Sequence, residues 1–132
     1  MSSYLLMLQA DADDQYITES ALAAINPSVT IKYVDNSEEM EQTIALNGEP
    51  LLILVNDQGT LKERGRTLRQ LKTNDSYAHI PVVLLGERSS ADYVKECYRA
   101  GASTFITKPS SVEATQKKIQ QFLSYWLEVA EH

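Results

Sequence analysis

The chain has 132 residues, of which 43% are hydrophobic and 23% are charged, values typical of one globular domain. Apolar runs such as 51–55 are far shorter than the roughly 18 residues that a membrane span needs. No basic and apolar leader opens the chain, and the single cysteine, Cys97, cannot form an internal disulfide. We therefore expect a cytoplasmic protein.

Acidic and basic residues are unevenly distributed along the chain. Residues 1–57 carry ten acids and one base, whereas residues 58–132 carry eight acids and eleven bases. A protein that binds nucleic acid normally has a basic excess, because Lys and Arg displace the counterions of the phosphates. The net charge of −6 therefore argues against nucleic acid as a partner.

Five short apolar segments predict the strands of a sheet. Segments 5–8, 51–55 and 82–85 are continuously apolar, as expected for parallel strands that are covered on both faces. Segment 29–34 alternates between apolar and polar residues, which is typical of an edge strand, and segment 104–106 is weaker. The sequence therefore predicts three interior strands with the second and fifth at the margins.

Helical periodicity fills the intervals between these strands. The first two helices are predicted over 13–26, with Asp11 or Asp13 as the N-cap, and over 37–46, with caps at Asn36 or Ser37 and a stop at Gly48. Ser89 or Ser90 is expected to cap the fourth helix, and the fifth follows Pro109. The apolar face predicted for the first helix comprises Ile17, Ala21, Ala24 and Ile25, and that of the third comprises Leu61, Leu68 and Leu71. For the fourth helix the predicted face is Ala91, Val94, Cys97 and Tyr98. For the fifth it is Val112, Thr115, Ile119, Phe122, Leu123 and Trp126.

Strict alternation of strand and helix predicts an α/β fold with right-handed crossovers. With five strands the economical arrangement is a flavodoxin-like (βα)5 domain with a parallel sheet of order 2-1-3-4-5. We expect a single domain over 1–132, with a short extension at 127–132. Chemistry in such sheets lies at the carboxyl ends of the strands, which here are 9–11, 56–57, 86–87 and 107–109.

Segments 80–85 and 100–109, together with the spacing from Pro50 to Asn56, resemble the receiver domain of two-component response regulators. The resemblance implies a phosphoryl-accepting aspartate after the third strand, an Mg²⁺-binding acidic pair after the first, a hydroxyl after the fourth and a lysine after the fifth. In this chain those positions hold Asn56, Gln9 and Ala10, Gly86, and Lys108. Only the Lys108-Pro109 pair is retained, for which the resemblance implies a cis peptide bond. The sequence therefore predicts a degenerate receiver without a phosphoacceptor and with Mg²⁺ binding lost or weak.

Nearby charged residues leave alternatives open. Asp57 could serve as a non-standard phosphoacceptor, although one step along a strand turns a side chain to the opposite face. Asp11, Asp13 and Asp14 could supply a metal ligand, but their position favours capping and charge stabilisation of the first helix. Lys108 could reach Asp57 or Asp11, bind an anion, or face solvent.

The resemblance implies that partners bind the fourth helix, fifth strand and fifth helix. Candidate residues on this partner face are Tyr93, Tyr98, Arg99, Phe105 and Lys118. We expect a non-enzymatic signalling module that contacts a histidine kinase, a phosphotransfer protein or an output protein, with a homodimer as a further option to which Tyr125 and Trp126 could contribute. Docking of an acidic partner is an alternative for the third helix, whose outer face is expected to expose Lys62, Arg64, Arg66, Arg69 and Lys72.

A flavin- or nucleotide-binding protein on the same topology is a remote alternative. Such proteins cradle phosphate in a loop rich in Gly, Ser and Thr after the first strand. Residues 9–14 are acidic here and should repel phosphate. Neither histidine is placed for nucleophilic catalysis, and no Cys/His spacing indicates a metal site, so we expect no cofactor.

Overall fold

Five parallel strands form one sheet in the order β2-β1-β3-β4-β5, which confirms the predicted flavodoxin-like (βα)5 fold. The structure is a computed structural model that describes residues 4–9, 11–25, 28–57, 66–86, 90–107 and 112–129. The strands are β1 (Tyr4–Leu8), β2 (Thr30–Val34), β3 (Leu52–Asp57), β4 (Val82–Gly86) and β5 (Thr104–Thr107).

Five helices connect and cover these strands. They are α1 (Ala12–Ile25), α2 (Ser37–Asn47), α3 (Arg66–Thr73), α4 (Ala91–Arg99) and α5 (Val112–Ser124), and a π-helical segment, Tyr125–Val129, continues α5. Helical structure therefore reaches Trp126, as predicted, and continues for three more residues.

Alternating side chains of the strands feed two separate cores. In β1, Leu6 and Leu8 pack with residues of α2, α3 and α4, whereas Leu5 and Met7 pack with α1 and α5. All five residues of β1 and of β4 are buried, as the continuous apolar runs predict for interior strands. The sheet is thus the middle layer of three.

Polar side chains fix the starts of three helices. Asp11 Oδ1 accepts from the amide of Asp14 at 2.8 Å, Asn36 Oδ1 from that of Glu39 at 2.9 Å, and Ser90 Oγ from that of Tyr93 at 3.2 Å. These contacts satisfy amides that have no partner within the helix. They confirm the caps predicted at Asp11, Asn36 and Ser90.

Two predicted apolar faces are wrong in part. On α1, Ala24 is exposed, and the buried face runs instead through Asp14, Ile17, Thr18, Ala21 and Leu22. On α4, Ala91 and Tyr98 are exposed, while Cys97 is buried and Tyr93 packs against the core. In both helices the face that meets the sheet differs from the predicted one, because the prediction counted apolar residues and missed the polar or amphipathic side chains on that face.

The predicted exposure of Lys72 on the outer face of α3 is also wrong. Its Nζ donates to the carbonyls of Ala78 at 3.0 Å and Ile80 at 2.8 Å. Its alkyl chain lies so close to Gly101 that a Cβ there would come within 2.8 Å of Lys72 Cγ. Burial lowers the pKa of the Lys72 ammonium. Arg66 and Arg69 are exposed as predicted, and Leu61, Lys62 and Arg64 lie outside the described residues.

No helix within the described ranges is both long and apolar enough to cross a membrane.

Candidate functional site

The carboxyl ends of β1, β3 and β4 bring three of the predicted site positions to one edge of the sheet. Leu8 is level with Val55, and Asn56 is level with Leu85. Gln9 therefore directly follows β1, while Asn56 and Gly86 lie at the ends of the neighbouring strands β3 and β4. This edge is where parallel α/β sheets hold ligands and chemistry.

The side chain of Asn56 is completely buried at this edge. Its Nδ2 donates to Asp14 Oδ2 at 2.8 Å and to the carbonyl oxygen of Gln9 at 3.1 Å. Both partners are acceptors, so only the nitrogen of the carboxamide can face them, and this fixes the orientation of the amide. The carboxamide therefore joins the end of β3 to the end of β1 and to α1.

Gln9 contributes its backbone rather than its side chain. Its φ of 59° lies in the left-handed region, which non-glycine residues adopt uncommonly, and its side chain is exposed. Its amide donates to the carbonyl of Val34 at 3.0 Å while its carbonyl accepts from Asn56. The strained conformation thus accompanies two contacts that tie the end of β1 to its neighbours on both sides.

Asp14 is a site residue for which the sequence favoured capping and charge stabilisation of the first helix over a role as a metal ligand. It is only 6% exposed, and its carboxylate faces the Asn56 amide. The signal was present in the spacing, because Asp14 precedes Ile17, Thr18 and Ala21 by three, four and seven residues. Those three residues are buried, so the helical period already placed Asp14 on the buried face of α1.

A second polar group lies one turn along the same face of α1. Thr18 is completely buried, and its Oγ1 has no hydrogen-bond partner among the described residues. A buried hydroxyl without a partner loses its hydration and receives nothing in return. The buried face of α1 therefore carries one polar side chain that contacts Asn56 and one that lacks a described partner.

The structure describes only some of the other predicted site residues. Gly86 is the last residue of β4 and pairs in register with Asp57 and Thr107. Asp57 is the last residue of β3, but its side chain lies outside the description, as do Ala10, Lys108 and the Lys108-Pro109 peptide bond predicted to be cis. Asp11 and Asp13 are exposed on the first turn of α1.

The described donor set does not fit Mg²⁺. That ion requires octahedral oxygen coordination and is usually held by one or two carboxylates together with several waters. The buried groups here offer one carboxylate, Asp14, and an amide whose hydrogens already point at it. Nowhere in the described ranges do three Asp, Glu, His or Cys residues stand close enough to hold a metal ion.

The predicted partner face is organised around the open edge of β5. The rings of Tyr93 and Phe105 meet edge to face with centroids 6.1 Å apart. The amide of Phe105 donates to the Tyr98 hydroxyl at 3.1 Å, and Lys118 Nζ donates to the carbonyl of Thr107 at 3.1 Å. Arg99 is exposed at the end of α4. Side chains of α4 and α5 thus engage backbone groups of the edge strand.

The opposite edge of the sheet carries a cavity of about 450 Å³, lined in part by Pro50, Pro81 and Trp126. On its rim, His79 Nε2 and Glu49 Oε2 lie 2.8 Å apart, and both side chains are more than half exposed. This cavity is at the amino ends of β3 and β4, away from the edge where Asn56 lies.

Solved structures place this chain in a fold class. It aligns with the Mn²⁺-bound form of the response regulator Rcp1 at a TM-score of 0.83 and 21% identity, covering 98% of this chain and 97% of that one. The phosphorylated cyanobacterial phytochrome response regulator RcpA gives 0.82 and 22%, covering 99% and 98%. A response regulator from Hahella chejuensis gives 0.82 and 23%, covering 99% of each chain. The chain therefore has the fold of response-regulator receiver domains, which confirms the resemblance at the level of the fold.

Sequence comparison adds less. The probable methanogenesis regulatory protein FilR2 of Methanothrix harundinacea (strain 6Ac) is 26% identical over 78 residues, which cover 59% of this chain. The match spans about half the length of that curated relative. No protein-family model matches the chain.

Proposed function

We propose that this chain is a receiver-type signalling module of the two-component family that lacks phosphoacceptor activity and acts through protein–protein contact. The fold of response-regulator receivers supports the module, and the end of β3 supports the loss of the acceptor. In this proposal the chain is not an enzyme, requires no Mg²⁺ and binds no nucleic acid. A cytoplasmic location is part of it, because one cysteine is typical of a reducing compartment.

The observation that carries this proposal is the buried carboxamide of Asn56. A phosphoacceptor must present an anionic oxygen to a phosphodonor, and a carboxamide is a poor nucleophile. Here the amide is fully buried, and its nitrogen is committed to Asp14 and Gln9. Gly86 has no side chain with which to bind a phosphoryl oxygen.

Incubation with acetyl phosphate and Mg²⁺, read by intact mass, tests the absence of an acceptor. We expect no gain of a phosphoryl group by the full chain, while an ordinary receiver treated in parallel is labelled. A labelled chain would contradict the proposal. The matched variants Asp57→Ala and Asp13→Ala then separate the alternatives, because loss of labelling in Asp57→Ala alone would make Asp57 the non-standard acceptor.

The partner face defined by Tyr93, Tyr98, Arg99, Phe105 and Lys118 is the proposed route of signalling. Its support is an exposed surface built on an edge strand, where Tyr98 is 47% exposed and two cationic side chains are exposed beside it. Tyr, Arg and other aromatic residues are enriched at protein interfaces. The proposed partner is a kinase, a phosphotransfer protein or an output protein of the same signalling class.

Affinity capture from native lysate of the source organism, followed by titration of the captured signalling protein, tests this face. We expect Tyr98→Ala/Arg99→Ala to weaken the complex at least about tenfold, as truncation of interface anchors usually does. The control is Tyr16→Ala, which removes another exposed tyrosine, 67% accessible, from α1. If both variants bound the partner equally well, the partner would bind a different surface of the chain.

A further inference from the structure

The carboxamide of Asn56 sits where two oxygen acceptors converge. Asp14 Oδ2 and the carbonyl oxygen of Gln9 both lie within hydrogen-bond distance of the same nitrogen, at 2.8 and 3.1 Å. An arrangement in which an anionic oxygen and a backbone carbonyl face one point is one that a hard cation satisfies. In this chain the positive ends of two N–H bonds fill that point.

We infer that the Asn56 carboxamide is a built-in substitute for a divalent cation. Its two hydrogens occupy the positions at Asp14 and Gln9 where an ion would otherwise bind, and they join β1, β3 and α1 with no dependence on the concentration of any metal. This inference deepens the proposed function, on which it rests for its biological meaning. The ends of β1 and β3 would then keep one conformation whether or not a metal ion is present.

Charge explains why an amide and a carboxylate at position 56 differ so strongly. A carboxylate there would place two anionic groups about 3 Å apart in a buried setting, where one must take up a proton or a cation. The amide has nearly the same shape and removes that requirement. A single substitution, Asn56→Asp, should therefore convert an ion-independent site into an ion-dependent one.

Binding of Mn²⁺ to the full chain, followed by electron paramagnetic resonance of the free ion, tests the inference. We expect no saturable binding by the unsubstituted chain. We expect saturable binding by Asn56→Asp, with an affinity about a hundredfold above the detection limit for the unsubstituted chain. Adding Asp14→Asn to Asn56→Asp should abolish that gain, whereas adding Asp13→Asn should leave it. Asp13 is the matched control because it is an exposed neighbour with the same charge.

Each alternative outcome has a defined meaning. Saturable binding by the unsubstituted chain that Asp14→Asn removes would overturn the inference, and so would a folded Asn56→Asp variant that binds no tighter. If Asn56→Asp unfolds at neutral pH, Mn²⁺ or mild acid near about pH 5 should refold it, because either compensates the paired carboxylates. A variant that neither restores would also overturn it.

These measurements are independent of the test for phosphorylation. The chain can fail to bind Mn²⁺ and still be labelled at Asp57, in which case the proposed function fails and the role of Asn56 stands. Conversely, if the chain is not labelled but binds Mn²⁺ through Asp14, the proposed function stands and the inference about Asn56 fails.

Discussion

The carboxyl end of the central strand β3 and the exposed edge strand β5 use polar side chains in opposite ways. At β3, Asn56 and Asp14 are buried, and the hydrogen bond between them lies within the packed interior. At β5, the hydroxyl of the exposed Tyr98 accepts from the amide of the half-buried Phe105. A buried polar contact is costly to break, whereas an exposed one is readily replaced by water.

This difference indicates which region of the molecule can change its conformation. An interior amide–carboxylate pair that joins three elements favours one arrangement of β1, β3 and α1. A surface tyrosine over an edge strand can be displaced by a partner at small cost. The two regions therefore differ in the free energy of breaking a polar contact, and substitutions on either side should reveal that difference.

The largest effect is expected for Asn56→Leu, which keeps the branched heavy-atom skeleton and removes the donor. The buried Asp14 carboxylate would lose a charge-assisted hydrogen bond, so the free energy of unfolding should fall by about 3 kcal/mol. Urea denaturation followed by circular dichroism measures this loss.

The control for Asn56→Leu is the double variant Asn56→Leu/Asp14→Leu, in which neither polar partner remains. Replacing both partners with apolar groups can be nearly neutral, so this variant should regain much of the lost stability. The single variant Asp14→Leu completes the comparison. If the losses of stability in Asn56→Leu and Asp14→Leu add up to the loss in the double variant, the contact does not couple α1 to β3.

The next effect is expected at the turn between α4 and β5. Gly101 has a φ of 110°, and a Cβ at this position would lie 2.8 Å from Lys72 Cγ. Gly101→Ala should lower the free energy of unfolding by about 2 kcal/mol, because both the backbone conformation and the contact oppose a side chain. Thermal denaturation would detect the change.

Shortening Lys72 separates the two causes at Gly101. In Gly101→Ala/Lys72→Ala the close contact disappears but the unfavourable φ remains, so we expect the alanine at 101 to cost less in that background than alone. If the cost is unchanged, the backbone conformation accounts for the whole effect.

The fold was predictable from the sequence because its signals are local and redundant. The continuous apolar runs of β1 and β4 and the alternation in β2 each restrict the place of a strand, and together they specify the sheet order. Caps at Asn36 and Ser90 could also be read directly, because a capping side chain contacts its own helix.

The site was less predictable because its contacts join residues that are far apart in sequence. Asn56 and Asp14 are 42 positions apart, and no local pattern pairs a strand-end amide with a helix carboxylate. Lys72 shows the same limitation, since its position among basic residues indicates an exposed face, while contacts with Ala78, Ile80 and Gly101 leave it half-buried. Tertiary contacts override the charge pattern in both cases.

A stabilising change is expected at Thr18, whose buried hydroxyl has no described partner. Thr18→Val replaces that hydroxyl with a methyl group of similar size, so the free energy of unfolding should rise by about 1 kcal/mol. Chemical denaturation measures the gain, with the exposed Thr30→Val as the control that should change little. A loss of stability in Thr18→Val would show that the hydroxyl has a partner in the folded protein.

The smallest effect is expected for Tyr98→Phe, which removes only the hydroxyl that accepts from the Phe105 amide. Because water can replace this acceptor, the free energy of unfolding should fall by no more than about 0.5 kcal/mol. Hydrogen exchange of the Phe105 amide should nevertheless accelerate, since a fixed acceptor has been removed from the edge strand. Tyr125→Phe, at another exposed tyrosine, should leave that exchange rate unchanged. If Tyr98→Phe instead lost as much stability as Asn56→Leu, the polar contact at β5 would be as costly to break as the buried one at β3. The contrast between the two regions would then be wrong.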